Sequence, residues 1–326
     1  MTGTALRGLR AGPVLILALL VLVMSIASPY FFTRANLTNL GFQTAIVAVL
    51  ALGQLVVILT RGVDLSVGAV VALSGVLAAI AADAGAGGAL TLMVMLATGA
   101  AVGLTNGGIL VGGRVMNPFI VTLGTLSIVR GLALVISDAQ TRTGLPPAIS
   151  ATGTSLVGPV PLPAVLAGGL ALAAWVLLAR TRWGRWIYAV GGNPEGARKM
   201  GIPVDRVLLS AYVICGMAAG LAGVLVAGRT DAGSPTAGQL LELDAITAVI
   251  IGGASFFGGR GGVAGVVAGA LIIGVIRNGL NLLDVTPFWQ QVAIGALVIA
   301  SLELDVLRGH LERRLQVRQA TAEATA

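Results

Sequence analysis

Uncharged apolar runs dominate this chain. Residues 12–28, 40–60 and 90–111 contain no Asp, Glu, Lys or Arg, and about 17–25 consecutive apolar residues are what a helix needs to cross a bilayer. In lipid every backbone N–H and C=O must be bonded internally, so such runs fold as helices. Only 10% of the 326 residues are charged, against 56% hydrophobic, whereas a soluble domain carries about 25% charged residues. A soluble enzyme is excluded.

The expected class is an all-α, polytopic membrane bundle of about ten transmembrane helices. Ten apolar segments cover residues 12–28, 40–60, 66–82, 90–111, 119–137, 163–179, 207–227, 245–257, 263–283 and 288–304. An even count puts both termini on one side, and loops rich in Lys and Arg stay in the cytoplasm. With both ends inside, fifteen basic residues are cytoplasmic and only Arg34, Arg142 and Arg229 are outside; Arg130 and Arg277 fall within spans. The expectation is N-in and C-in, with residues 1–11 as a cytoplasmic N-terminus, 12–305 as the transmembrane domain and 306–326 as a cytoplasmic tail. Arg7 and Arg10 before residues 12–28 also fit a cleavable signal peptide. Removing it would leave nine spans and invert the charge bias.

Several chemistries drop out. Cys215 and His310 are the sole cysteine and histidine, so neither a disulfide framework nor a Cys/His metal cluster can form. The net charge of +7 is a topology signal in this setting, and nucleic acid is not an expected partner. No GxxxxGK[ST] phosphate loop occurs; the nearest approach, GASFFGGR at 253–260, lacks the Lys and the hydroxyl that hold phosphate and magnesium. No catalytic residue, cofactor or metal is expected.

Two connections are long. Residues 140–162, outside, carry four prolines and read as an extended loop or short strand pair. Residues 180–206, inside, are the most basic stretch and contain a short helix with its own start and stop. Asn193 suits the N-cap, Pro194 the first turn and Glu195 the positive helix end. Arg198 and Lys199 suit the negative end, Gly201 the left-handed position beyond it, and Pro203 blocks continuation. The result is about two turns, roughly 10 Å. It is either a helix lying at the headgroups or a rigid peg for a cytoplasmic partner.

Charges inside a membrane are costly and mark candidate pathways. Asp64 and Asp244 each open a short apolar segment, either as helix caps or as pathway carboxylates. Asn106-Gly107 with Pro118-Phe119 is echoed by Asn278-Gly279 with Pro287-Phe288, five spans later. That is the layout of an inverted repeat. Arg130 and Arg277 either snorkel or pair with a carboxylate. Gly216 with Gly220, and Gly265 with Gly269, have the small-xxx-small spacing of close helix packing. Trp183, Trp186, Tyr188 and Trp289 read as headgroup anchors. Asn281, Gln290 and Gln291 face either a water-filled path or the interface.

The string GGNPEGARKMGI at 191–202, followed by VDRV at 204–207, resembles the coupling loop of ABC-transporter permeases of the ribose/xylose/arabinose/galactoside type. The same family is matched, in order, by GVDLSVG at 62–68, NPFIVTLG at 117–124 with Arg130-Gly131, PTAG at 235–238, ELDAI at 242–246, GGAS and GGRG between 252 and 261, and NGLNL at 278–282. The resemblance runs from about residue 41 to 305. Gly196 departs from it, since the family more often carries Ala there. A glycine costs about 1 kcal/mol in a helix interior, so a slightly looser helix is expected.

The resemblance implies a bacterial inner-membrane permease for a monosaccharide or polyol, working as a homodimer or with a paralogue. Its partners are cytoplasmic ATPase subunits, an extracytoplasmic sugar-binding protein and membrane lipid. Asn193, Glu195, Arg198, Lys199 and Gly201 would form the ATPase-coupling loop. The candidate pathway residues are Asp64, Ser66, Asn117, Arg130, Asp244, Asn278 and Asn281. The competing readings are a proton- or sodium-coupled transporter using Asp64, Asp138 and Asp244, a branched-chain amino-acid ABC permease, and a non-transporting scaffold.

Overall fold

The computed structural model describes residues 2–113 and 117–324, with side chains described for 12–113, 117–303, 305 and 306. Arg7, Arg10, Arg114, Arg308, Arg313, Arg314 and Arg318, all counted inside above, lie outside the described side chains, as does His310.

The first half contains α1 (Thr2–Ala27), α2 (Arg34–Leu59), α3 (Val67–Asp83), α4 (Gly88–Gly112) and α5 (Pro118–Ile136). The second contains α7 (Leu162–Arg180), α8 (Arg182–Gly192), α9 (Pro194–Lys199), α10 (Val204–Thr230), α11 (Leu241–Ile251), α12 (Val263–Leu282) and α13 (Pro287–Ala324). Between them lie β1 (Arg142–Thr143), α6 (Pro147–Thr154), β2 (Leu156–Val157) and β3 (Val160–Pro161), while β4 (Ala232–Gly233) follows α10. The connection at 140–162 thus holds the expected strand pair, β2 against β3. It also holds a helix, and β1 reaches across to pair with β4.

Among the described residues six helices (α2, α4, α5, α7, α10 and α12) are long and apolar enough to cross a membrane, and residues 12–27 and α3 are shorter apolar helices. The chain is a polytopic helical membrane protein. The segment 245–257 behaves differently from the expectation. Its helix, α11, ends at Ile251, and 11 residues reach about 16 Å, well short of a hydrocarbon core of about 30 Å. Gly253, Gly258, Gly259 and Gly261 all take positive φ, a backbone region that stops a right-handed helix and that glycine alone enters freely.

Helix α2 is the hub. Every residue from 47 to 59 is buried, and a helix apolar on all sides lies inside its bundle. It packs against α7, α10, α11 and α12. The most extensive helix–helix contact is α4 with α10. A Cβ at Gly99 would collide with the carbonyl oxygen of Gly216, one at Gly103 with that of Tyr212, and one at Gly220 would lie 2.5 Å from that of Met95. Gly265 and Gly269 likewise admit the backbone of α11 at Gly252 and Ala248. Both small-residue spacings read from the sequence sit at contacts of backbone on backbone.

Two aromatic anchors turn inward. Trp183 donates from Nε1 to Ser210 Oγ at 2.8 Å, and the Tyr188 hydroxyl donates to the Gly261 carbonyl at 2.9 Å. They sit on α8, an amphipathic helix inside the basic loop that buries Gly184, Ile187, Val190 and Gly191. Trp289 is exposed.

Candidate functional site

The short helix forms as its residue order dictates. Asn193 Oδ1 accepts from the Gly196 amide at 3.0 Å. Glu195 lies in the first turn and Arg198 and Lys199 in the last. Gly201 follows the C-cap with φ 78. Glu195, Arg198 and Lys199 are exposed, while Ala197 alone is buried and holds the helix to the body. Arg198 pairs with Asp205 at 2.7 Å, an exposed bridge of small energetic weight. Met200, beside it, is 83% exposed. The helix presents a charged, protruding surface on a fixed stem.

That stem is fastened to α2. Arg61, just past the end of α2, donates from Nε to the Gly191 carbonyl at 2.6 Å and from Nη2 to the Gly192 carbonyl at 2.5 Å. The Gly259 amide donates to the Leu59 carbonyl at 3.0 Å. Sequence reading placed Arg61 only as an inside charge.

Three residues beyond Arg61, Asp64 opens a buried polar cluster. Its Oδ1 accepts from the Ser66 amide at 2.9 Å and the Ser66 hydroxyl at 2.6 Å, and Asn106 Nδ2 donates to both carboxylate oxygens at 3.3 and 3.4 Å. Asn106 Nδ2 also reaches Ser66 Oγ at 3.0 Å. In the orientation that satisfies both of its ends, the Gln54 amide pairs with the backbone N–H and C=O of Asp64. Tyr212 and Thr122 both donate their hydroxyls to the Val63 carbonyl at 3.3 Å. All these side chains are buried. Asp64 therefore holds Ser66, the residue that precedes α3, and ties that end of α3 to α4 through Asn106. Gln54, Asn106, Thr122 and Tyr212 were legible only as polar residues inside apolar runs.

A second polar group begins near the N-terminal end of α2, at Asn36, which is 18 residues and so about 27 Å along the helix from Gln54. Asn36 and Asn278 exchange amide hydrogen bonds, at 3.0 Å from Asn36 Nδ2 and 2.7 Å from Asn278 Nδ2. Arg277 pairs with Asp244, so Asp244 is an ion-pair partner between α11 and α12 rather than a cap. Arg130 Nη1 donates to the carbonyls of Pro235 and Ala237 at 2.9 and 2.7 Å. Gln290 Nε2 donates to Asn281 Oδ1 at 2.8 Å; Gln290 is buried and Asn281 exposed. Asn117 is also exposed and caps α5 through the Phe119 amide at 3.0 Å. The Asp64 and Asp244 groups adjoin in the interior: Ile246, two residues after Asp244, packs with Val63 and Leu65 on either side of Asp64, and a Cβ on Gly68, two residues after Ser66, would meet the Glu242 carboxylate and the Gly238 carbonyl. Among the described residues no group of His, Cys, Asp and Glu is placed to hold a metal ion.

The D-allose transport system permease protein AlsC of Escherichia coli (strain K12) is 43% identical over 301 residues, covering 91% of this chain and 92% of that protein. The ribose import permease protein RbsC of Bacillus subtilis (strain 168) is 41% identical over 298 residues, with 91% and 92% covered. The fructose import permease protein FrcC of Rhizobium meliloti is 38% identical over 305 residues, with 90% and 84% covered. No solved structure matches the chain. The family described as branched-chain amino acid transport system / permease component matches residues 36–302. With that match spanning most of its length, the chain belongs to this family of transport-system permeases, as a multi-pass protein of the bacterial plasma membrane.

Proposed function

We propose that the chain is the membrane-spanning permease of a bacterial ABC importer for a monosaccharide or related polyol. The observation that carries this reading is nearly full-length identity to permeases named for allose, ribose and fructose. The family description names branched-chain amino acids, but it spans several substrate classes, and the sugar permeases resemble this chain from end to end. ATP hydrolysis belongs to a separate chain, and no catalytic role is assigned to this one.

In this reading ten spans, one of them the short α11 completed by the non-helical backbone on either side of it, place both ends in the cytoplasm, with transmembrane boundaries at 12–305 and tails at 1–11 and 306–326. The basic-residue bias supports it. Helix contacts support an inverted repeat: α4 packs on α10 as α12 packs on α2, and α3 packs on α10 as α11 packs on α2. Helices α1 and α7 depart from the exchange, since α7 lies on α2 and α1 on α12.

The loop 180–206 docks a cytoplasmic ATPase through α9, with Asn193, Glu195, Arg198, Lys199 and Gly201 shaping the contact. Two permease copies, identical or paralogous, enclose the pathway, and lipid surrounds them. ATP closure of the partner ATPases moves α9, and the bundle opens toward a loaded sugar-binding protein. Because that protein supplies selectivity, the permease needs only transient contacts with sugar, for which Asp64, Ser66, Asn117, Arg130, Asp244, Asn278 and Asn281 remain the candidates.

Glu195→Arg tests the coupling role. It sets a positive charge at the positive helix end, a local cost of about 0.3–1 kcal/mol, too small to unfold the bundle. Abundance should stay normal while ATPase capture and transport fall. Capture and transport at the unmodified level would overturn the assignment. Screening the cognate binding protein against a sugar panel by thermal shift then names the sugar.

A further inference from the structure

Arg61 occupies left-handed backbone, φ 67, which a β-carbon disfavours. The bundle holds it there by the two charged bonds to Gly191 and Gly192. Those carbonyls end α8, where unpaired oxygens and the helix dipole concentrate negative charge. The next residue, Asn193, caps α9. Three backbone segments meet at this joint without slack: a Cβ on Gly191 would strike the Leu59 carbonyl and lie 2.6 Å from the Gly259 nitrogen. On the other side of Arg61, every residue from Gly62 to Ser66 is buried, and that stretch ends in the Asp64–Ser66–Asn106 cluster.

We infer that Arg61 is the transmission residue between α9 and the bundle interior. It is a positioning residue: its guanidinium grips the root of α9, and its backbone leads directly into the segment that carries Asp64. A displacement of α9 therefore drags the end of α2 and the Asp64 cluster with it. The covalent paths from α9 run into α8 and α10, so its link to α2 is non-covalent, carried by the two Arg61 bonds beside the packing of Gly191 on Leu59. The inference rests on the coupling role proposed for α9.

The test uses the complete transporter, with ATPase and binding protein, in proteoliposomes. Arg61→Gly suits the positive φ and removes the grip without adding bulk. The expected result is normal assembly and ATP hydrolysis, with transport reduced at least about tenfold, the scale of losing one charged hydrogen bond. ATP consumed per sugar rises by the same factor. Arg61→Lys, which keeps charge and donors but not the fork, should recover part of the coupling. Wild-type ATP consumption per sugar in Arg61→Gly would overturn the inference, and so would loss of the ATPase from the complex, which makes Arg61 a docking residue. Glu195→Arg, run alongside, separates the two claims. If it impairs transport while Arg61→Gly does not, only the transmission role fails. If it changes nothing, the coupling role of α9 fails and the inference with it.

Discussion

Arg277 on α12 grips Asp244 on α11, with Nη2 2.8 Å from Oδ1 and 2.7 Å from Oδ2. The Asp244 side chain is 0% exposed, while Arg277 keeps 28% of its surface. The pair binds the half-length helix α11 to a full-length neighbour. The two charges differ in burial, the carboxylate being fully enclosed and the guanidinium partly exposed.

Removing Arg277 alone therefore strands a buried charge. Arg277→Met should destabilise the protein by about 3–5 kcal/mol, whereas adding Asp244→Asn should restore most of that loss. Thermal denaturation of the two single variants and the double variant in detergent measures the coupling directly. Additive losses would show that the pair does not act as a unit.

Asp64 accepts from the amide and hydroxyl of Ser66 at the start of α3 and ties that point to Asn106 on α4. Asp64→Leu leaves the Ser66 amide and Asn106 without their acceptor, at about 1–3 kcal/mol for each buried group orphaned, so membrane abundance should fall. Asp64→Asn retains an accepting oxygen and should insert normally while transporting poorly. Normal transport by the Asn variant would reduce Asp64 to a structural tie.

The α4–α10 seam predicts position-specific intolerance of bulk. Gly99→Val or Gly103→Val should destabilise by roughly 1–3 kcal/mol or more, because the obstacle is rigid backbone. Gly124→Val, where a Cβ meets open space, serves as the control and should leave helix packing unchanged. Equal losses at all three positions would point to helix propensity instead of close approach.

These contrasts mark where the sequence was informative. Local rules sufficed for α9, since Asn193, Pro194, Glu195 and Gly201 act on their immediate neighbours. The glycine seams were also legible, because their four-residue spacing is itself the packing signal. Pairings between distant segments were not. Nothing local joins Arg61 to Gly191, Asp64 to Asn106 or Asn36 to Asn278, and only the bundle brings them together. At Asn117 the sequence suggested a pathway position, and the structure adds that its amide oxygen accepts from the Phe119 amide at the start of α5. Helix α8 was hidden by its aromatic and basic content, which suggested an anchor and masked its buried face.

The proposed topology, ten spans with both ends inside, would make α9 cytoplasmic and the β2–β3 hairpin external. In a Cys215→Ser background, a cysteine at Leu156 should react with an impermeant reagent on intact cells. One at Met200 should react only after permeabilisation. Both positions are exposed, so labelling reports side rather than burial. The reverse pattern would contradict the topology.

The most direct measurement of the central claim is uptake by proteoliposomes containing the permease, its ATPase and its binding protein, supplied with labelled monosaccharides and with labelled leucine. The account predicts monosaccharide uptake that requires ATP and all three components, with no leucine accumulation. Uptake by the permease alone under a proton or sodium gradient, or ATP-driven uptake of leucine in place of sugar, would contradict it.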